Sequence, residues 1–318
     1  MLNLVSSTFF SGDLLDLDAT ESAHGIREHV EGLADMMTKP NISDLFPFLR
    51  WLDLQGRHLG RIFDIVDGVI EGRLAKEAAS SGKHDDFLKV LLNLMSAGKI
   101  DRLVVKALLF ELFITGSDTV TVTVEWAMAE LLRHPSIMAK VRTEIAGALG
   151  GKDTVEEPDA ASLPYLNAVV KEVMRLHPVA PVLVPRRAVE DGVEISGYAV
   201  PKGSTVFINV WARMRDPAVW EKPEEFMPER WFLGKAAAMD FKGKDFEFLP
   251  FGSGRWTCPG MPMAERVVPH LLASLLHAFE WRLPDGMSAE QLDVSERFTT
   301  ANVLAVPLKV VPIVTGSR

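Results

Sequence analysis

Apolar residues recur every three to four positions through most of the first 180 residues, the spacing that puts them on one face of a helix. Residues 54–76 read as a long amphipathic helix, set between a proline-punctuated connection at 41–47 and a polar loop at 80–83. From 101 to 133 the same period is sustained for about nine turns, and it ends at His134-Pro135. Helices of globular proteins average about three turns, so this stretch predicts a helix that crosses the whole molecule. Pro135 opens another helix to about residue 149, and Pro164 opens one that stops at His177-Pro178.

The texture then changes. From 182 to 210 β-branched residues, glycine and proline dominate, and 195–198 and 205–208 predict short strands. Residues 212–257 read as irregular, rich in proline, tryptophan and charge. A last helix is expected over 261–279, and strands over 304–314. The pattern gives a mainly α fold with small β-sheets, without internal repeats.

Composition narrows the function classes. With 318 residues there is room for one large or two modest domains. A net charge of −9 gives no electrostatic support to a nucleic-acid role. Cys258 is the only cysteine, which excludes an intrachain disulfide and a cysteine-rich zinc site and fits a reducing compartment. The most hydrophobic segment, 103–116, is broken by Lys106 and Glu111, so no transmembrane segment is expected. Asp13, Asp16 and Asp18 near the start, with no basic cluster, do not read as a signal peptide. Taken alone, the chain reads as soluble and cytosolic.

The candidate chemistry begins at Cys258. A lone cysteine is commonly a small apolar core residue, but this one sits in Phe251-Gly252-Ser253-Gly254-Arg255-Trp256-Thr257-Cys258-Pro259-Gly260, just ahead of a helix. Glycines permit the tight turns that bring one sulfur up to a large flat ligand, and a thiolate is what binds iron. The loop resembles the cysteine-ligand loop of the cytochrome P-450 family, the haem-thiolate monooxygenases, whose pattern is F-x-x-G-x-R-x-C-x-G. Phe251, Gly254, Cys258 and Gly260 match it, while Trp256 stands at the arginine position. Indole has one N–H donor and no charge.

Three further segments follow the family's order. Glu172 and Arg175, three apart on one helix, face the same side; alone they are a surface ion pair. With Pro228-Glu229-Arg230-Trp231 downstream, they resemble the family's E-x-x-R pair locked to a second arginine, here Arg230. Such a network is structural and would fix the stretch carrying the cysteine loop. Thr115-Gly116-Ser117-Asp118-Thr119 resembles the oxygen-activation segment, in which Asp118 and Thr119 relay protons; Thr115 replaces the usual alanine or glycine. A glycine beside a threonine that bonds a backbone carbonyl favours local opening of this helix into a groove. Arg186, after Pro185, stands where the family often binds a haem propionate; adjacent Arg187 is the alternative.

What the resemblance implies is a cytochrome P-450 fold over 1–318, lacking the family's opening third and similar to plant microsomal enzymes. Cys258 would be the metal ligand, and Arg186, Phe251 and Gly260 would complete the haem b site. Phe110, Phe113, Ile114, Val182, Leu183, Ala301 and Asn302 would line a pocket for a small lipophilic substrate, a terpenoid, phenolic or similar compound. All of these segments equally suit plain core. O2 would be co-substrate, with electrons from NADPH through a flavoprotein reductase docking near Lys242, Lys244, Arg255 and Arg266. Full-length relatives would sit on the cytosolic face of the endoplasmic reticulum. A haem-deficient, non-catalytic relative is the competing expectation, raised by Trp256 and the missing opening third.

Overall fold

Helix-period sequence becomes helix almost wherever expected. The computed structural model describes residues 2–11, 54–79, 86–284, 286–299 and 301–314. The connection at 41–47, the loop at 80–83 and the aspartates at 13, 16 and 18 lie outside the described residues. Two compact units divide the chain at 121/122.

In the first unit, α1 (Leu2–Phe10), α2 (Leu54–Ala79) and α3 (Phe87–Ser96) join the first part of α4 (Arg102–Arg133). Their apolar faces bury Val5, Ile62, Ile70, Leu88, Val105 and Leu109 in one cluster. Asp86 caps α3 by accepting the Lys89 N–H at 2.9 Å, and its other oxygen accepts from buried Arg73 at 2.7 Å. The cap thus ties α3 to α2 and satisfies an otherwise orphaned helix-end donor.

The second unit is built around α7 (Pro164–Leu176), which is buried on almost every side. Next to it lie α5 (Pro135–Leu149), α6 (Glu157–Ala161) and α9 (Met261–Ala278), while α8 (Val210–Arg213) is a single turn. Buried Ile137, Val141, Ile145 and Leu149 recur at four-residue intervals along α5, which ends at Gly150 in the left-handed region (φ 55°). Among the described residues, four two-stranded antiparallel sheets complete the unit. They pair β1 (Arg186–Arg187) with β4 (Thr205–Val206), β2 (Val193–Ile195) with β3 (Tyr198–Val200), β5 (Phe279–Arg282) with β8 (Val311–Val314), and β6 (Glu296–Phe298) with β7 (Asn302–Leu304).

The short elements show where pattern reading slipped. The strand expected at 195–198 is the turn of the β2–β3 hairpin: Ser196 and Gly197 both have positive φ (50° and 84°), the geometry of a tight two-residue loop. Phe207 and Ile208 fall beyond β4, where the Ile208 carbonyl accepts the Leu183 N–H at 3.0 Å. The strands expected over 304–314 are the last residue of β7 and β8, with 305–310 between them outside any strand. Residues 212–257 are largely irregular, as expected, with 3-10 turns at Pro228–Phe232, Ala236–Ala238 and Gly254–Trp256.

A buried polar node fixes the β6–β7 hairpin. His177, just past α7, stacks on Trp126 with ring centroids 3.8 Å apart and planes 3° from parallel. Its Nε2 faces Glu130 at 2.8 Å and its Nδ1 faces Glu296 at 3.0 Å. Glu296 also accepts from Asn302 (2.7 Å), Trp211 (2.7 Å) and Arg215 (3.1 Å). Trp126 donates to the Asn302 carbonyl at 2.9 Å, and the Leu308 N–H reaches Glu125 at 2.9 Å. Burial pushes both carboxyls up, but bonds from His134 and His177 bring Glu130 down to about 2. His177, Asn302, Arg215 and Trp211 bring Glu296 to about 2 as well.

Candidate functional site

The cysteine loop is shaped by its backbone. The Cys258 N–H bonds the Phe251 carbonyl at 2.9 Å, closing the loop, and Met261 N–H returns to the Cys258 carbonyl at 3.4 Å as α9 starts. Gly252 and Gly254 take φ of 72° and 68°, which side-chain-bearing residues adopt only with strain. A second loop braces the first from behind. Ser253 Oγ donates to the Gly243 carbonyl at 2.6 Å, and a Cβ at Gly243 would meet the Gly252 carbonyl oxygen at 2.8 Å. Only glycine allows so close an approach. Phe251 stands edge-on to Phe241, centroids 5.6 Å apart. Held in this way by main-chain bonds, Cys258 is an exposed free thiol. Gly260 lies against it: a Cβ there would sit 3.7 Å from the sulfur.

Glu172, Arg175 and Arg230 meet in the core. Arg175 reaches both Glu172 oxygens, Nε to Oε2 at 3.0 Å and Nη2 to Oε1 at 2.9 Å, and Arg230 Nε reaches Oε1 at 2.9 Å. Trp231 Nε1 at 2.9 Å and Met227 N–H at 3.1 Å complete the acceptor's shell. Glu172 and Arg175 have no exposed surface and Arg230 is 7% exposed. Both guanidiniums lie over Trp220, 5.3 and 5.9 Å from its ring centre. Arg175 continues to the carbonyls of Met214 and Pro223, both at 2.8 Å, and Arg230 to that of Glu221 at 2.8 Å. One helix residue therefore clamps the irregular stretch 214–231 ahead of the cysteine loop.

The two adjacent arginines part company. Strand alternation sends them to opposite faces: Arg187 extends toward Gly203, whereas Arg186 lies over the indole of Trp256, 5.4 Å from its centre. Arg186 Nη1 also donates to the Val184 carbonyl.

Asp118 and Thr119 lie on α4 in the first unit. The carbonyl bond on which the expected opening rests is present, Thr119 Oγ1 to the Thr115 carbonyl at 2.6 Å, within a helix that continues from 102 to 133. Thr115, Ser117 and Thr121 likewise bond the carbonyls four residues back (Glu111, Phe113, Ser117) at 2.6–2.8 Å. Those bonds add to the helical ladder without breaking it.

Of the expected substrate-lining residues, Phe113 is buried in the core of the first unit, with Phe110 and Ile114 packed on that core. In the second unit Val182 is 41% exposed and Leu183 is buried. Ala301 is half-buried, whereas Asn302 is fully buried and turned to Glu296. A cleft of about 380 Å³ lies elsewhere, behind the cysteine loop, lined by Lys171, Met174, Phe241, Phe251 and Glu265 among others. Lys242, Lys244, Arg255 and Arg266 are all exposed, and Arg266 pairs with Glu157 at 3.5 Å.

Sequence reading missed Trp220, Trp231, Gly243 and the Glu130–His177–Glu296 node. The density of tryptophans between 211 and 231 was a usable signal, because a buried indole N–H seeks an acceptor.

The chain is similar to known proteins. The Cytochrome P450 family model matches residues 1–306. The chain is 61% identical to Cytochrome P450 76M5 of Oryza sativa subsp. japonica, over 99% of this chain and 63% of that protein. It is 57% identical to the Ent-cassadiene C11-alpha-hydroxylase 1 of the same plant, over 98% of this chain and 63% of that protein. A zebrafish cytochrome P450 solved with abiraterone superposes with a TM-score of 0.81 at 26% identity, over 99% of this chain and 70% of that chain. The chain thus spans about 63% of the length of these curated relatives. With a family match over nearly all of its residues and a P450 fold at the level of structure, this chain belongs to the cytochrome P450 family.

Proposed function

We propose that the chain serves haem-dependent monooxygenation, in which one atom of O2 enters a small lipophilic substrate and the other leaves as water, with two electrons drawn from NADPH through a flavoprotein reductase. The observation that carries this reading is the exposed Cys258 sulfur, presented by a loop that glycines and main-chain bonds hold rigid from behind. Such a sulfur, as a thiolate, would hold a haem iron. Haem b would supply the activation of oxygen.

The residues present fit that group on the sulfur side: Cys258 would hold the iron, Gly260 lies alongside the sulfur, and Phe251 anchors the loop. They fit it less at 256, where a neutral indole replaces a cation, and Arg186 would be the carboxylate partner. Glu172, Arg175 and Arg230 keep the loop's foundation fixed. Asp118, through its carboxylate, and Thr119, through its Oγ1, would pass the protons that the reaction consumes. In the second unit Val182, Leu183 and Ala301 would exclude water around the substrate, while Phe113, with Phe110 and Ile114 packed beside it, belongs to the core of the first unit. A terpenoid fits this apolar set, and the hydroxylase relative named for ent-cassadiene supports that class. The exposed cations Lys242, Lys244 and Arg255 would receive an acidic reductase face, with Arg266 less available because of Glu157.

Trp256 favours one other reading, a relative that holds haem too weakly for catalysis. The reduced chain loaded with haem and exposed to carbon monoxide separates the two. A Soret band in the red-shifted thiolate position supports the monooxygenase reading; absence of haem uptake sinks it.

A further inference from the structure

We propose that Trp256 is a positioning residue that seats the Arg186 guanidinium as a carboxylate-binding group, so that with no cation at 256 carboxylate recognition beside the cysteine loop rests on β1. The inference rests on the haem reading above, with a propionate as the carboxylate.

Four observations lead to it. Trp256 ends the 3-10 turn Gly254–Trp256, two residues before the sulfur, and is 63% exposed, so its indole is not a core anchor. Arg186 lies over that indole at 5.4 Å, within the range of a cation–π contact. Its strand is only two residues long, and the backbone alone leaves a long side chain free to rotate. The Val184 carbonyl takes one N–H, and the remaining donors of Arg186 meet no protein acceptor among the described residues.

The chemistry follows from shape and charge. A guanidinium lying on an aromatic face keeps its donor edge outward, and that edge matches a carboxylate in a two-pronged contact. An arginine at 256 would set a second cation against Arg186. Tryptophan removes that repulsion and gives the remaining cation a seat. On this view Trp256 gives up the cysteine loop's own anion contact but sets the orientation of the neighbour that keeps one.

The test uses the whole 318-residue chain loaded with haem b or with haem dimethyl ester, which lacks the two negative charges. Haem transfer to excess apomyoglobin gives the release rate. Trp256→Leu should speed release of haem b about two- to fivefold, the range expected for a cation–π seat near a surface. Trp256→Phe, which keeps an aromatic face, should stay within about twofold. Arg186→Gln and the double variant should release haem b equally fast, and no variant should change release of the ester.

Equal acceleration of both haems by Trp256→Leu, or effects of Trp256→Leu and Arg186→Gln that multiply, would overturn the proposal. A haem-free readout keeps it distinct from the functional reading. The Trp256 indole N–H resonance, assigned by its loss in Trp256→Phe, should shift in Arg186→Gln. An unmoved resonance overturns the pairing whatever haem does. If the parent chain takes up no haem while the resonance shifts, the haem reading falls, and with it the propionate as ligand.

Discussion

Glu172 and Cys258 are the two ends of one mechanical chain, and they are built in opposite ways. Glu172 is fully buried, and five donors converge on its carboxylate: two from Arg175, one each from Arg230 and Trp231, and the Met227 N–H. Cys258 is exposed, and its loop is held by main-chain bonds and by the closeness of Gly243 rather than by any charge. The difference shows where rigidity can come from. A site that must leave one atom open to a ligand cannot fix that atom with side-chain bonds, so the order is made elsewhere and transmitted through backbone.

Substitutions can break this contrast at three strengths. Glu172→Ala should have the largest effect, since it leaves two buried guanidiniums without their anion. A loss of about 3–5 kcal/mol is expected, read by urea unfolding followed by far-ultraviolet circular dichroism; a loss below about 1 kcal/mol would mean the network is not the clamp described.

Next comes the His177 node. Glu130 and Glu296 are both held near 2, against an ordinary 4.5. Carboxyls lowered in the folded state contribute stability that is complete above about pH 5 and is lost as pH falls toward 2. Glu296→Gln should therefore cost about 2–3 kcal/mol at pH 7 and flatten the acid branch between pH 5 and 2. Melting temperatures across that range check it, and a variant curve parallel to the parent's refutes it.

The smallest effect on stability belongs to the residue with the largest proposed role. Cys258→Ser should change unfolding free energy by no more than about 0.5 kcal/mol, as for other exposed positions without buried partners, while abolishing the thiolate carbon monoxide band. A large destabilisation would mean the sulfur itself holds the loop.

The sequence made the frame legible because its signals are local. Prolines at 135 and 164 mark helix starts, His177-Pro178 marks a stop, and the helical period runs unbroken through α4. The cysteine loop and the Glu172–Arg175 spacing were readable for the same reason: each lies within ten residues. Arg230 needed a remote match to join them. Glu130, His177 and Glu296 could not be linked at all, since no spacing rule relates residues that approach only after folding. The strand expected at 195–198 failed on turn chemistry, because Ser196-Gly197 bends where β-branched neighbours suggest extension. Asn302 was read as cavity lining from its apolar neighbours, yet a buried amide finds polar company, and here that is Glu296.

The reach of Trp126 to Asn302 bears on how this polypeptide is made. The two residues are 176 positions apart, and Leu308 meets Glu125 across 183. Synthesis runs from the N-terminus at about 5–20 residues per second, so Glu130 and His177 emerge from the ribosome well before the hairpin carrying Glu296 exists. For that interval, on the order of ten seconds, the end of α7 lacks the anion that later covers His177 Nδ1. Nascent chains stalled before residue 296 therefore carry a finished α7 whose terminal histidine has only Glu130 as a carboxylate partner, and completion of the hairpin supplies the second.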